Sequence, residues 1–294
     1  MLIDASHPEE TRVAIVSGQY LEDFDVEVES RRQLRGNIYL AKVTRVEPSL
    51  QAAFVDYGGN RHGFLAFSEI HPDYYQIPVA DREALVAEQK VAETEAENLS
   101  GAAEEEPPSD ESPAVETLGG DDTEDVQARR PPVLKRRYKI QEVIKRRQIL
   151  LVQVVREERG TKGAALTTYL SLAGRYCVLM PNTARGGGIS RKISNSSDRK
   201  RLKTILNGLD IPGVMAVIVR TAGQKRSKAE IKRDYEYLMR VWELVREVTL
   251  ESMAPCLVHE EGNLIKRSIR DLYDKDIDEI IISGDASYRT AKDF

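Results

Sequence analysis

The sequence predicts an α+β fold in which a small β-barrel carries a long acidic insert and is followed by mixed strands and helices. Three observations predict this fold. Short apolar runs punctuated by glycine and proline fill residues 38–67 and return at residues 148–156. The stretch between them is acidic and has almost no large apolar residues. Beyond residue 162, strand-like runs alternate with helical patterns.

The first predicted element is a β-hairpin over residues 11–29. Residues 12–16 form an apolar run, and Ser17 and Gly18 supply a tight turn. A period-2 pattern begins at Tyr20, which is typical of a strand.

The barrel is predicted from short strands separated by Pro48 and by the Gly58-Gly59 pair. Its last strand follows a basic segment, and one loop accepts the insert. Short strands with one insertable loop fit a five-stranded barrel of the OB type. We expect strands over residues 38–46, 50–57, 61–67 and 148–156.

The region after residue 162 predicts an α/β arrangement. Its clearest element is a helix over residues 227–250, which Ser227 and Glu230 begin as a capping box. One apolar stripe follows its face at Ile231, Tyr235, Leu238, Trp242 and Val245. Further strands are expected over residues 164–172, 176–180, 213–221 and 279–282, and further helices over 198–209 and 264–272.

The charges are unevenly distributed along the 294 residues. The 43 Lys and Arg and 48 Asp and Glu give a formal net charge of −5, which alone argues against a nucleic-acid partner. Residues 88–125, however, hold fourteen acidic residues and one lysine, so the rest of the chain is basic. The insert, at about residues 81–132, buries too little apolar surface to offset its ordering entropy, and we expect it to be disordered.

Several classes of protein are excluded. No apolar run approaches the ~20 residues of a membrane-spanning helix, and residues 1–14 lack the pattern of a secretory signal. Cys177 and Cys256 form neither a disulfide framework nor a Cys-x-x-Cys zinc half-site. The histidines and carboxylates form no catalytic or metal-binding spacing. We therefore expect a cytoplasmic protein with no catalytic residue and no metal ligand in this chain.

The predicted barrel carries two aromatic side chains at suggestive positions. Strand alternation places Phe54 and Phe64 on the more polar faces of consecutive strands, amid Lys42, Arg45 and Arg61. Such rings can stack the bases of single-stranded nucleic acid. Alternation alone also allows both rings to belong to a two-sided core, and that alternative stays open.

A second candidate site follows the apolar run that ends at Val219. Arg220 and Thr221 would present a guanidinium and a hydroxyl beside free backbone amides, a combination that suits an anion. Arg191 follows a run of three glycines and is a further donor. The alternative is that both arginines form ordinary surface ion pairs. No Gly-Lys-Ser/Thr sequence follows the glycines, so they are not a Walker loop.

Strings along almost the whole chain, apart from the insert, resemble the bacterial ribonuclease E/G family. In chain order they are QAAFVDYG at 51–58, RHGFL at 61–65, ERGTKGAALTT at 158–168, SLAGRY at 171–176, LMPN at 179–182, GGISR at 187–191 and IVRTAG at 218–223. The resemblance implies an OB-fold domain over residues 35–162 and a 5′-sensor domain over residues 163–256. Residues 1–34 and 257–294 would be two parts of an RNase H-like domain, the second of them truncated.

The resemblance also implies roles for individual residues. The OB-fold would clamp RNA with two aromatic rings and a lysine, which match Phe54, Phe64 and Lys162. The 5′-sensor would hold a terminal phosphate with residues matching Arg220 and Thr221, supported by Arg191. The terminal nucleotide would pack on positions matching Gly174 and Val178.

The activity implied by the resemblance is endonucleolytic hydrolysis of single-stranded RNA with a 5′-monophosphate, in mRNA degradation and in rRNA and tRNA processing. Family catalysis uses Mg²⁺ in a later DNase I-like domain, and Zn²⁺ held by cysteines joins the subunits of a tetramer. Those ligands are not expected here, and RNA degradosome partners would bind other regions. We therefore expect this chain alone to bind RNA without cleaving it. The alternative is a non-catalytic RNA-binding adaptor built on the same barrel.

Overall fold

A computed structural model describes most of the chain outside the acidic insert. The described residues are 1–7, 9–29, 33–79, 81–82, 85, 138–158, 162–183, 187–261, 263–273 and 276–294. The expected disorder of the insert therefore falls almost entirely outside the described residues. The chain divides into two compact units, Met1–Asn37 with His259–Phe294, and Ile38–Val258.

The described elements are numbered in chain order. The strands are β1 (Leu2–Asp4), β2 (Glu10–Ser17), β3 (Tyr20–Val28), β4 (Ile38–Glu47), β5 (Ala52–Asp56), β6 (Gly63–Ala66), β7 (Ile149–Arg156), β8 (Ala165–Thr167), β9 (Leu172–Ala173), β10 (Cys177–Met180), β11 (Gly188–Ile189), β12 (Ala216–Val219), β13 (Cys256–His259) and β14 (Ile281–Ser283). The helices are α1 (Ile140–Val143), α2 (Ser196–Asn207), α3 (Lys228–Glu251), α4 (Leu264–Leu272) and α5 (Asp285–Asp293).

The first unit contains a four-stranded sheet in the order β14-β1-β2-β3. The predicted hairpin is confirmed as β2 and β3, with Gly18 at a φ of 60° in the turn. Ile3, Val13 and Leu264 form part of the core between the sheet and α4. Neither β1 nor α5 was predicted. The three residues of β1 are too few to show a period, and β1 is held by pairing with β14 from the far end of the sequence.

The second unit contains the predicted barrel. Its strands follow the order β4-β5-β6-β8-β7, and pairing of β4 with β7 closes the ring. Side chains that point inward are fully buried, among them Val55, Tyr57, Leu65, Leu150 and Leu166. The closed five-stranded barrel confirms the small barrel predicted from the sequence and is consistent with an OB-fold.

Gly163 lies where the chain closes the barrel beside β6. A Cβ at this position would stand 2.0 Å from the backbone carbonyl oxygen of His62, which cannot turn aside as a side chain could. We predict that Gly163→Ala lowers the free energy of unfolding by about 1–3 kcal/mol. Gly213→Ala is the matched control, because nothing lies within 4 Å of its added Cβ. Indistinguishable urea-unfolding midpoints for the two variants would contradict this reading.

A second sheet follows the barrel in the order β11-β12-β10-β9. Helices α2 and α3 cover one of its faces through a core that includes Leu179, Val219 and Leu238. The predicted capping box begins α3. Ser227 Oγ accepts a hydrogen bond from Glu230 N at 3.3 Å, and Ser227 N donates to the Glu230 carboxylate at 2.8 Å.

The strand expected over residues 164–172 is wrong in its extent. Only β8 is extended there, and the chain then bends before β9. Side chains hold the bend, because Asn182 Oδ1 accepts from Leu170 N at 3.0 Å and Gln153 Oε1 accepts from Ser171 N at 2.8 Å. Such bonds compete with a strand ladder for the backbone, and an apolar run does not reveal them.

Candidate RNA-binding site

One row of side chains crosses the outside of the barrel. In the strand register Arg45 lies opposite Phe54, Phe54 opposite Phe64, and Phe64 opposite Ala165. The row therefore spans β4, β5, β6 and β8. A β-bulge between Val43 and Arg45 shifts the register of β4, and Arg45 takes its place in the row through that shift.

The two rings of this row lie on the outer face. Phe54 is half-buried and Phe64 is 36% exposed, whereas Ala53, Val55 and Leu65 between them are fully buried. The ring centroids are 6.0 Å apart with an angle of 73° between the ring planes, an edge-to-face contact. The alternative that both rings are sealed in a two-sided core does not describe this barrel.

Two cations accompany the rings. The guanidinium carbon of Arg45 is 4.7 Å from the Phe54 ring centroid, a cation–π contact at an exposed position. Lys162 is exposed and lies three residues before Ala165, where the chain enters β8. Stacking rings beside exposed cations are the groups that hold a single strand by its bases and its phosphates.

Arg45 gives a prediction specific to this row. We expect Arg45→Met to weaken binding of single-stranded RNA and to reduce the slope of log K against log salt by about 0.7, the value for one phosphate contact on a single strand. Arg246→Met is the matched control, since Arg246 is an exposed arginine on α3 that pairs with Glu243. Titrations at several salt concentrations check the prediction, and equal slopes for the two variants would remove Arg45 from the site.

The second candidate site lies at the end of β12. Arg220 follows the strand and is 4% exposed, and Thr221 after it is half-buried at the start of a 3-10 turn, Thr221–Gly223. The guanidinium Nη1 of Arg220 donates to the carbonyl of Gly174 at 2.6 Å, and its backbone N donates to Tyr176 O at 2.8 Å. Arg220 is therefore not the ordinary surface ion-pair former that the sequence also allowed.

Arg191 lies just beyond the same edge of this sheet, two residues after the end of β11. Strand β11 is parallel to β12, with Ile189 opposite Val219, so the chain continues from both strands at their common carboxyl-terminal edge. Ser190 N donates to Val219 O at 2.9 Å, which ties the two continuations together. Arg191 is exposed one residue further on.

Gly174 and Val178 occupy different environments. Gly174 is buried in the turn before β10, and its carbonyl holds Arg220. The Val178 side chain is fully buried in a cluster with Met180 and Ile218. The structure thus brings Gly174 to Arg220 and places the Val178 side chain in the apolar packing of the strands.

The barrel and the second sheet are joined by Gln153, a buried side chain of β7. Its Nε2 donates to Ser171 O at 2.7 Å, and its Oε1 accepts from Ser171 N and Ser171 Oγ at 2.8 and 3.1 Å. Both candidate sites therefore belong to one compact unit, Ile38–Val258.

Sequence reasoning missed one residue of the second site. Asp234 on α3 accepts hydrogen bonds from the backbone N–H groups of Arg175, Tyr176 and Cys177. Burial raises the pKa of the Asp234 carboxyl, while those donors and the charge of Arg220 oppose the rise. No sequence pattern connects residues so far apart, and only the packing of α3 on the sheet brings them together.

The described residues do not fit a Mg²⁺ or Zn²⁺ site. Across the ranges given above, no group of three or more His, Cys, Asp or Glu side chains could hold a metal ion. Burial raises the pKa of the Cys177 thiol, which disfavours the thiolate that a zinc ligand must form.

The described helices include none with the length and apolar character to cross a membrane.

Comparison with known proteins identifies relatives along the full chain. Residues 171–294 match the ribonuclease E/G family. The chain is 40% identical over 293 residues to ribonuclease E of Haemophilus influenzae, covering 100% of this chain and 26% of that protein. It is 40% identical over 284 residues to ribonuclease E of Escherichia coli K12, covering 97% and 22%. To ribonuclease G of Escherichia coli K12 it is 32% identical over 288 residues, covering 98% and 48%.

These alignments also show how much of each relative the chain spans. It spans about a quarter of the length of the two ribonuclease E relatives and about half of the ribonuclease G relative. The strings that resembled the family lie inside the aligned regions, and the identity to ribonuclease E exceeds that to ribonuclease G. The resemblance drawn from those strings is confirmed: residues 171–294 match the ribonuclease E/G family, and the whole chain is similar to ribonucleases E and G.

Proposed function

We propose that this chain is the RNA-binding and 5′-monophosphate-sensing part of a single-strand-specific endoribonuclease that acts in RNA decay and in rRNA and tRNA processing. The observation that carries the proposal is the outer row of Arg45, Phe54 and Phe64 on the same compact unit as the Arg220–Thr221 corner. Similarity to the ribonuclease E/G family supports an RNA substrate for the longer proteins.

The proposed role of the barrel is to hold the strand downstream of its 5′ end. Phe54 and Phe64 stack bases, which contributes ~1–3 kcal/mol per base without reading the sequence. Arg45 and Lys162 contact the neighbouring phosphates. Duplex RNA is disfavoured because its bases are already stacked and paired, so the rings cannot reach their faces.

The proposed role of the Arg220–Thr221 corner is to hold the 5′-terminal phosphate. A buried guanidinium favours an anionic ligand, because burial leaves its charge poorly solvated. The Thr221 hydroxyl supplies a second donor, and Arg191 lies at the same sheet edge to support the pocket. The terminal nucleotide packs on the backbone at Gly174, whose carbonyl holds Arg220, and on the strand that carries Val178.

The same proposal covers the domain organisation. Residues 35–162 form the OB-fold domain, residues 163–256 the 5′-sensor domain, and residues 1–34 and 257–294 parts of an RNase H-like domain.

Because the described residues do not fit Mg²⁺ or Zn²⁺, we derive no hydrolytic step from them. Hydrolysis, tetramer formation and degradosome contacts are proposed for the longer proteins, and the cytoplasmic location stays a prediction.

A binding titration with the full chain tests the proposal. Fluorescent single-stranded RNA of about 16 nucleotides is prepared with a 5′-monophosphate, with a 5′-hydroxyl, and as a blunt duplex. We expect the monophosphorylated strand to bind most tightly, the hydroxyl strand less tightly and the duplex weakest. Equal affinity for the two single strands would refute the sensing role, and a preference for the duplex would refute the clamping role.

A further inference from the structure

The Asp234 carboxylate holds a turn of the chain by its backbone. Its Oδ1 accepts from Arg175 N at 3.1 Å, and its Oδ2 accepts from Tyr176 N and Cys177 N at 2.8 Å each. The turn also closes on itself, since Gly174 N donates to Cys177 O at 2.8 Å. Three consecutive N–H groups directed at one carboxylate fix both the position and the orientation of the turn.

The turn formed by residues 174–177 holds Arg220 at two points. The carbonyl of Gly174 accepts from the guanidinium Nη1 at 2.6 Å, and the carbonyl of Tyr176 accepts from the Arg220 backbone N at 2.8 Å. A shift of the turn therefore moves both the guanidinium and the strand end that carries it. Asp234 is thus linked to Arg220 through this turn. Burial raises the pKa of the Asp234 carboxyl, and the positive charge of Arg220 opposes that rise.

Gly174 fits this arrangement because the carboxylate occupies the space of a side chain. A Cβ at Gly174 would lie 2.6 Å from Asp234 Oδ2 and 2.8 Å from Oδ1. Both distances are far inside van der Waals contact, so a larger residue at 174 would displace the carboxylate from its three donors. Gly174 and Asp234 thus form one packed pair, and the carbonyl of Gly174 holds the Arg220 guanidinium.

We propose that Asp234 is a positioning residue of the 5′-phosphate site, which orients the Arg220 guanidinium through the turn formed by residues 174–177. The inference rests on the proposed function and deepens it, because it assigns the preorganisation of the site to a residue on α3 that need not touch RNA. A preorganised donor binds its anion more tightly than one that must be ordered on binding.

The decisive variant is Asp234→Asn, which keeps the side-chain size. An asparagine has one acceptor oxygen for three donors, and its NH₂ group would face an N–H of the turn. We expect the ratio of affinities for 5′-monophosphorylated and 5′-hydroxyl RNA to fall about tenfold, with affinity for the hydroxyl RNA unchanged. If the variant only removed the negative charge of Asp234 and left Arg220 in place, the ratio would rise, because the terminal phosphate is anionic. An unchanged or increased ratio therefore overturns the proposal.

Tyr235→Phe is the matched control. It removes the hydrogen bond from Tyr235 Oη to Asp210 O at 3.2 Å, at the next residue of the same helix, and the acceptor of that bond lies outside the turn. We expect this variant to keep the wild-type ratio. If it lowers the ratio as much as Asp234→Asn does, the effect belongs to helix stability and the proposal fails.

Two further arms separate this inference from the proposed function. Wild-type protein that does not distinguish the two RNA ends refutes the proposed function itself. If Arg220→Ala abolishes the preference while Asp234→Asn retains it, the sensing role stands and only the positioning role is refuted.

Should Asp234→Asn fail to fold, Gly174→Ala displaces the carboxylate by filling the space that it occupies. It is expected to lower the same ratio, and a wild-type ratio in that variant overturns the proposal.

Discussion

Arg220→Ala is expected to abolish the proposed preference of this chain for RNA with a 5′-monophosphate. Hydrogen bonds to charged groups contribute about 1.5–3 kcal/mol each, so affinity for the monophosphorylated strand should fall about 10- to 150-fold. Affinity for the 5′-hydroxyl strand should change little, because that strand has no terminal phosphate to lose. Competition titrations with the two RNAs on the same protein preparation measure both values.

The hydroxyl RNA is the internal control for this variant. Arg220 is buried and holds Gly174, so its removal could disturb the second sheet as well as the phosphate contact. A disturbed sheet would reduce binding of both RNAs, and equal losses would therefore contradict the sensing role. Arg220→Lys keeps the charge but loses the planar fork, and we expect it to restore only part of the preference.

Phe54→Ala and Phe64→Ala are expected to weaken binding of both RNA ends alike. In the proposed site each ring stacks about one base, so each variant should lose ~1–3 kcal/mol, which corresponds to about 5- to 150-fold in affinity. The ratio between the two RNA ends should stay at the wild-type value, because stacking does not read the terminus. Anisotropy titrations with both strands check the prediction.

Phe24→Ala is the matched control for the two ring variants. Phe24 is 54% exposed on β3 in the other unit and is thus a comparably open ring on a different sheet. We expect its removal to leave RNA affinity unchanged. If Phe24→Ala weakens binding as much as Phe54→Ala, the rings act as general apolar surface and the outer row has no special role.

The sequence predicted the barrel and placed both rings on the more polar strand faces because strand alternation is a local property, but it left a two-sided core open. Leu65 is inward and Phe64 outward, as the period-2 pattern requires. Alternation fails at Arg45, since strict alternation from the buried Val43 would turn Arg45 inward and place Thr44 outward. The bulge between Val43 and Arg45 reverses this order, and it depends on pairing with β5 that a single strand does not reveal.

The second site was less predictable because its geometry is made by distant residues. The sequence indicated an anion site at Arg220, but it did not indicate that Arg220 is buried against Gly174. It also gave no reason to connect Asp234 with the turn before β10. Long apolar runs such as residues 164–172 were likewise predicted as one strand, although side-chain hydrogen bonds bend the chain there.

Photo-crosslinking of one RNA strand tests most directly whether both sites hold it together. A 5′-monophosphorylated strand of about 16 nucleotides carries a photoreactive base either at the first nucleotide or further downstream, and mass spectrometry maps the linked peptides. We expect the first nucleotide to link near Gly174 or Arg220 and the downstream base to link to β5 or β6 near Phe54 and Phe64. Links from the first nucleotide to the barrel rings, or a pattern unchanged by removal of the 5′-phosphate, would contradict the account.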